Sequence, residues 1–247
     1  LVIVIENLAL LTAAMVALWL MAVRIRDVSF IDAVWPLAMA FAALATFLRS
    51  DGDLLRRLLL VGVCGVWAVR LALHLFLRWR RQGADGRYVE IVKAQEKKAG
   101  WGFAKTALLL VFLPQAFFAW LTSLPVQLGQ LAKAPEVGIV GYAGAVIALV
   151  GVAFESIGDA QLARFREDTA NKGRVLDTGL WKYTRHPNYF GDALVWWGLW
   201  LIAAETTIGL WSIMGPVFLT FTLTRWSGIG ITEKAIHRSR PAYADYV

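Results

Sequence analysis

The sequence is poor in cysteine, histidine and charge. Its one cysteine, Cys64, lies in an apolar run, so the chain can form no internal disulfide and offers no cysteine cluster for a metal. The three histidines are far apart in sequence and lack metal-ligand spacing; they are His74, His186 and His237. Charged residues make up 17% of the chain, against about 25% in typical globular domains. These deficits exclude a disordered chain, disfavour a soluble domain and predict no bound metal.

Apolar residues are abundant instead. They make up 58% of the chain, and apolar runs near the length of about 20 residues that crosses a bilayer recur along it. We therefore predict an all-α integral membrane protein, a single bundle of seven transmembrane helices. The first run lacks a clear cleavage site, so we expect a transmembrane helix there and not a signal peptide. The predicted spans are residues 2–23, 30–48, 58–77, 105–123, 137–158, 189–204 and 207–224.

The net charge of +7 is unevenly distributed among the connections. Those after the third, fifth and seventh runs are rich in lysine and arginine, whereas that after the fourth run has only Lys133 and that after the sixth has none. Because basic loops stay on the cytoplasmic side, this pattern predicts an outer N-terminus and a cytoplasmic C-terminus. It explains the basic charge without a nucleic-acid partner. We expect a multi-pass protein of a bacterial inner membrane.

Ionisable side chains inside the spans are the first functional candidates, because each costs about 2.5–3.5 kcal/mol to insert at the centre of a helix. Asp32 lies near the start of the second span. Arg70 and His74 share a face of the third, and Glu155 and Asp159 share a face at the end of the fifth. We predict that Asp32 and Arg70 form an ion pair inside the bundle. Structural roles stay open for these residues, such as a helix cap for Asp32.

The stretch "WKYTRHPNYFGDALVWWG", residues 181–198, concentrates polar groups where the chain enters the sixth span. Pro187 favours a helix start there, since it fixes φ and lacks an N–H that would have no partner. Asn188 and Asp192 are then four residues apart on one helix face. Arginine and tyrosine donors beside a helix start suit phosphate and amide groups.

This stretch also carries a family resemblance. "NKGRVLDTGLWKYTRHPNYFGDALVWWGLWL" resembles the C-terminal signature of the DUF1295 branch of the steroid 5α-reductase superfamily, and "RHPNYFGD" is similar to the matching segment of sterol C14-reductases. Further segments resemble other landmarks of the branch in the expected order; they are "SFIDAVWP", "WAVRLALHLFLR", "GADGRY" and "SGIGITEKAIHRSRPAYADY". The resemblance thus covers nearly the whole chain.

The resemblance implies a seven-helix membrane reductase that uses NADPH. Residues 1–123 would form the substrate-side helices and residues 137–247 the cofactor-binding half. The chain has no G-x-G-x-x-G motif, so a Rossmann site is not expected. We expect Arg174 to meet the 2′-phosphate. The expected cofactor contacts are Asp159, Arg166, Asn171, Arg174, Tyr183, Arg185, His186, Asn188, Asp192 and Arg225.

The same resemblance suggests how the substrate is reduced. Hydride would pass to a carbon–carbon double bond conjugated to a carbonyl in a steroid-like or isoprenoid lipid. The acidic residue of the family's second helix falls near Asp32, which would donate to the carbonyl oxygen. The tyrosine of its third helix falls near Trp67, which cannot transfer a proton, so Tyr88 or Tyr183 would do so. The expected catalytic residues are Asp32, Arg70, Tyr88 and Tyr183.

Two other functions stay open at this stage. Isoprenylcysteine carboxyl methyltransferases share an "RHPxYxG" signature and bind S-adenosylmethionine, but they usually carry paired glutamates after the last span, where this chain has Glu233 and then Lys234. The change at Trp67 also fits a lipid-binding membrane protein without catalytic activity. In every case the expected partners are membrane lipids and a lipid-soluble ligand, and the sequence carries no signal for an oligomeric state.

Overall fold

The computed structural model describes residues 1–226, Glu233 and residues 243–246, and this part of the chain contains helices and connections but no strand. Two of its helices include a π-helical turn, at Leu108–Phe112 and Thr222–Trp226. The α-helices are α1 (Val2–Ile25), α2 (Ile31–Phe47), α3 (Leu54–Gln82), α4 (Gly86–Ala99), α5 (Phe103–Thr122), α6 (Leu124–Leu128), α7 (Ile139–Glu167), α8 (Pro187–Ala204), α9 (Thr207–Trp226) and the short α10 (Tyr243–Tyr246). Short 3-10 helices at Thr169–Asn171 and Gly179–Lys182 lie between α7 and α8.

Within the described residues, five helices are long and apolar enough to cross a membrane: α1, α3, α5, α7 and α9. The prediction of an all-helical integral membrane protein is therefore confirmed. Helices α2 and α8 occupy the other two predicted positions, but α2 has only 17 residues and α8 is not among the five. Seven crossings and the orientation of the termini stay predictions.

Helices α3 and α7 run further than their apolar runs. Helix α3 ends at Gln82 and α7 at Glu167, beyond the predicted ends at residues 77 and 158. Their last turns are polar, and basic side chains there are favourable beside the C-terminal carbonyls. This extension carries Arg78, Arg81 and Arg166 out of the apolar layer.

The apolar residues divide between a packed interior and an outward surface. Trp67, Met39 and Leu199 are fully buried in the core. By contrast Val66 and Val69 on α3 are 56% and 62% exposed. Broad apolar surface of this kind is unfavourable in water and suits contact with lipid tails.

Glycines bring α7 and α8 into close contact. A Cβ built at Gly151 would lie 2.6 Å from the carbonyl oxygen of Gly191, and one built at Gly198 would lie 2.5 Å from that of Gly144. Since real Cβ atoms do not approach so closely, only glycine allows the two backbones this spacing. The polar ends of the two helices therefore face each other directly.

Helix α8 starts at Pro187, as the sequence predicts. The proline ring packs against Gly158 of α7, where a Cβ would lie 3.1 Å from the ring. His186 precedes the helix in a non-helical conformation. This packing fixes Asn188 and Asp192, on the first turns of α8, against the last membrane turns of α7.

Candidate functional site

A cavity of about 710 Å³ lies where α3 and α7 end and α8 begins. Its size falls in the range of about 300–1,000 Å³ that is usual for small-molecule and cofactor sites. Among the described residues its lining has five arginines against the carboxylates Asp85, Asp159 and Glu167, so its walls are net cationic. The arginines are Arg78, Arg81, Arg87, Arg166 and Arg185.

Asp159 of α7 lies at the floor of this cavity, with Asn188 and His74 beside it. Asn188 donates from Nδ2 to Asp159 Oδ1 over 3.2 Å, and Arg70 Nη2 lies 2.6 Å from Asp159 Oδ2. His74 Nε2 lies 3.8 Å from the same oxygen. Helices α3, α7 and α8 thus meet at one carboxylate.

Two further carboxyl groups lie beneath the floor. Glu155 accepts a hydrogen bond of 3.1 Å from Trp67 Nε1 and lies 2.8 Å from Arg70 Nη1. Asp192 is 7% exposed, lies within electrostatic range of Glu155, and its Oδ1 has no hydrogen-bond partner among the described residues. We call Glu155, Asp159 and Asp192 the carboxyl cluster. It faces the Arg70 guanidinium.

The predicted ion pair between Asp32 and Arg70 is wrong. Arg70 points at the carboxyl cluster on α7, as described above. Asp32 instead lies 2.7 Å from Arg87 and 3.4 Å from Arg78. Arg70 lies too far along α3 from the start of α2, where Asp32 is. Arg78, two turns further along α3, is the arginine of this helix that reaches Asp32.

Asp32 and Tyr88 meet beside a smaller cavity of about 310 Å³. The Tyr88 hydroxyl donates to Asp32 Oδ1 over 2.6 Å. Burial, and then the Asp32 charge, raises the pKa of Tyr88, so the hydroxyl keeps its proton. Tyr88 and both arginines all donate to Asp32, which acts here as an acceptor and not as the expected donor.

The connection before α8 and the C-terminal segment meet around Glu233. Its Oε1 lies 3.0 Å from Arg185 Nη1 and 3.2 Å from His186 Nε2, and Tyr243 donates to it over 3.4 Å. The His186 ring stacks on Tyr189 with centroids 5.3 Å apart. Burial lowers the pKa of His186, although Glu233 opposes this shift.

The structure brings half of the expected cofactor contacts to the large cavity. Asp159, Arg166, Arg185, His186 and Asn188 line it, and Asp192 lies beneath. Four of the expected residues do not line it; they are Asn171, Arg174, Tyr183 and Arg225.

Those four have other surroundings. Asn171 donates from Nδ2 to the Phe165 carbonyl, and Tyr183 is 81% exposed. Arg174 and Arg225 are exposed. Asn171, Arg174 and Tyr183 lie in the connection between α7 and α8, and Arg225 lies near the end of α9.

Several residues that line the large cavity are not predicted from the sequence. Trp181, Tyr189, Tyr243 and Tyr246 add aromatic walls. Tyr189 belongs to the "RHPNYFGD" motif and was within reach of the resemblance. The two tyrosines of the C-terminal segment approach the cavity through tertiary packing, including a hydrogen bond from the Tyr246 hydroxyl to the Trp181 carbonyl.

Comparison with known proteins gives a relative and a family. The relative is "Uncharacterized protein C594.04c" of Schizosaccharomyces pombe, 23% identical over 261 residues, with 93% of this chain and 73% of the yeast chain covered. It gives no support to the expected bacterial membrane. No solved structure matches. The family model described as "Protein of unknown function (DUF1295)" matches residues 18–247. The chain therefore belongs to the DUF1295 family.

Proposed function

We propose that the protein is a membrane-embedded reductase that uses NADPH to reduce a carbon–carbon double bond conjugated to a carbonyl in a steroid-like or isoprenoid lipid. One observation carries the proposal: the arginine-lined cavity at the start of α8, with the Asn188 and Asp159 side chains as its floor. The resemblance of this motif to the steroid 5α-reductase superfamily points to the same chemistry.

The cavity walls fit the charge of the cofactor. NADPH carries a diphosphate and a 2′-phosphate, and guanidinium groups hold such oxygens with paired hydrogen bonds. Arg166 and Arg185 line the cavity, and Arg185 belongs to the segment that resembles the family. The cofactor would supply the hydride, and the protein would bind it, orient it and exclude water.

Tyr88 and Asp32 offer a place for the substrate carbonyl. Their side chains are 2.6 Å apart beside the smaller cavity, which shares Arg78, Gln82 and Asp85 with the larger one. A carbonyl oxygen that enters there would take over the hydrogen bond of the Tyr88 hydroxyl. A donor aimed at this oxygen stabilises the charge that develops on it during hydride addition.

The proposed orientation places this site in the cytoplasm. The cavity lies at the end of the bundle where the connections between α3 and α5 and between α7 and α8 carry most of the loop lysines and arginines. Basic connections favour the cytoplasmic side, where NADPH is found. Seven crossings, with α2 and α8 included, would give the odd number that this arrangement needs.

A methyltransferase that uses S-adenosylmethionine is the second candidate. One observation favours it: Glu233, which follows the last apolar helix, contacts both Arg185 and His186 of the shared signature. The surplus of arginine in the cavity favours the reductase, since S-adenosylmethionine carries no phosphate.

Ligand-dependent stability separates these functions. The purified chain in detergent would be heated with NADPH, NADH or S-adenosylmethionine, because a ligand of the native state stabilises it by about 2.7 kcal/mol at one hundred times its Kd. We expect NADPH to raise Tm most. Arg166→Ala should abolish most of the rise, whereas Arg174→Ala, a matched change outside the cavity, should retain it.

Two other results of this experiment would favour a different function. A rise with S-adenosylmethionine alone would reject the reductase in favour of the methyltransferase. No response to any of the three ligands would favour a lipid-binding protein without catalysis.

A further inference from the structure

The large cavity has opposite charges at its walls and at its base. Arg78, Arg81 and Arg87 lie on the wall at the end of α3 and the start of α4. At the base lies Asp159, and beneath it are Glu155 and Asp192, which are 3% and 7% exposed. A ligand that complements this arrangement is anionic along its length and carries positive charge at its inner end.

The carboxyl cluster contains more carboxyl groups than basic partners among the described residues. Arg70 makes ion pairs with Glu155 and Asp159, at 2.8 and 2.6 Å. His74 is the other basic group within 4 Å of the cluster among the described residues, at 3.8 Å from Asp159. Buried carboxylates need a partner for each charge. Three buried carboxyl groups around one guanidinium therefore either keep a proton or ionise beside a further positive group.

Asp192 shows where that group would be received. Its Oδ1 is buried and has no hydrogen-bond partner among the described residues. Asn188, one turn earlier on the same face of α8, lines the cavity. No group of three or more potential metal ligands in the described part is arranged to hold a metal ion.

We infer that the carboxyl cluster stabilises the positive charge that develops on the nicotinamide ring of the bound cofactor as its hydride leaves, and that the site consequently binds NADP⁺ more tightly than NADPH. The inference rests on the proposed function. The hydride, with both electrons, adds to one carbon of the substrate double bond, and a proton from water completes the other carbon. The ring keeps a charge of +1, which faces the carboxyl cluster. Fixed charges aimed at developing charge need no rearrangement during the reaction.

The affinity ratio of the two cofactor forms tests this role. Kd would be measured for NADPH by its fluorescence and for NADP⁺ by competition, in the full chain, Asp192→Asn and Glu155→Gln. Each change removes a group that can ionise and keeps the shape, so the preference for NADP⁺ should fall about tenfold, as loss of a charge interaction at short range implies. Glu136→Gln, the same chemical change at an exposed carboxylate before α7, should leave the ratio unaltered.

The possible results are distinct. Equal weakening of both forms in Asp192→Asn and Glu155→Gln would show a structural role only and overturn the inference, while the proposed function would stand. If the unaltered chain binds neither form, the proposed function fails and the inference fails with it. The two variants lie on different helices, so one that does not fold leaves the other to decide, and Tm measured without ligand identifies this case.

Discussion

At the scale of single residues, Trp67 shows how one change redistributes chemical roles. It is fully buried, it donates to Glu155, and it packs edge-on against Trp196 with centroids 5.2 Å apart. An indole N–H can orient a carboxylate but cannot supply a proton. Trp67 thus orients Glu155 of the carboxyl cluster, and the proposed substrate site has a proton-bearing hydroxyl in Tyr88, which donates to Asp32.

His186 gives a prediction about pH. Burial lowers its pKa below the ordinary value of 6.5, so the unfolded chain binds the proton more readily than the folded chain. Stability is therefore full above pH 6.5 and is lost as the pH falls below that value. Tm should decrease between about pH 7.5 and about pH 5.5, where histidines titrate, and the decrease should be smaller in His186→Gln.

The fall of Tm with pH is compared between the original protein and His186→Gln, and this comparison separates His186 from other titrating groups. Equal slopes in the two proteins, or a steeper one in the variant, would contradict the assigned shift. The direction of the pKa shift is informative because Glu233, which contacts the His186 ring, would by itself raise the pKa of His186.

At the scale of helices, the close packing of α7 and α8 assembles the site. Gly151 and Gly191 allow the backbones to meet one turn from Glu155, and Gly158 accommodates Pro187 at the helix start. Asp159 and Asn188, which face each other at 3.2 Å, depend on this spacing. We therefore expect the close contact between α7 and α8 to control both the stability of the fold and the binding of a ligand.

Gly151→Ala tests this contact between α7 and α8. The new Cβ would lie 2.6 Å from the Gly191 oxygen and 2.7 Å from the Val195 nitrogen, both backbone atoms that cannot rotate away. Overpacking of this kind costs about 1–3 kcal/mol. We expect a lower Tm and weaker NADPH binding, measured by thermal unfolding with and without ligand.

Gly62→Ala on α3 is the matched control, because a Cβ there has no neighbour within 4 Å. Alanine is the better helix former by about 1 kcal/mol, so this variant should be at least as stable as the original. If both alanine variants behave alike, close packing between α7 and α8 is not what positions the site.

At the scale of the whole molecule, the apolar runs predicted where the helices lie, because membrane helices need long stretches of apolar residues. The motif predicts the start of α8 at Pro187, and the family resemblance predicts that Arg166, Arg185 and Asn188 lie around one cavity. These features depend on neighbours in sequence or on a specific resemblance.

Contacts between distant segments could not be predicted in the same way. Arg70 and Asp159 are 89 residues apart, and their pairing depends on which helix packs beside α3. The polar composition of the stretch after the third apolar run predicts a connection, yet this stretch forms α4, with Asp85 as its N-cap. Arg87 and Tyr88, the partners of Asp32, come from this helix. The assignment of Asp32 to Arg70 failed for that reason.

The transfer of hydride to a lipid is the central claim, and isotope transfer measures it most directly. The purified protein in lipid nanodiscs would be incubated with NADPH deuterated at both C4 positions and a lipid extract containing conjugated enones, and the lipids analysed by mass spectrometry. The account predicts a lipid that gains one deuterium and one solvent proton, more slowly with Arg166→Ala. NADPH that binds while no lipid acquires deuterium would contradict it.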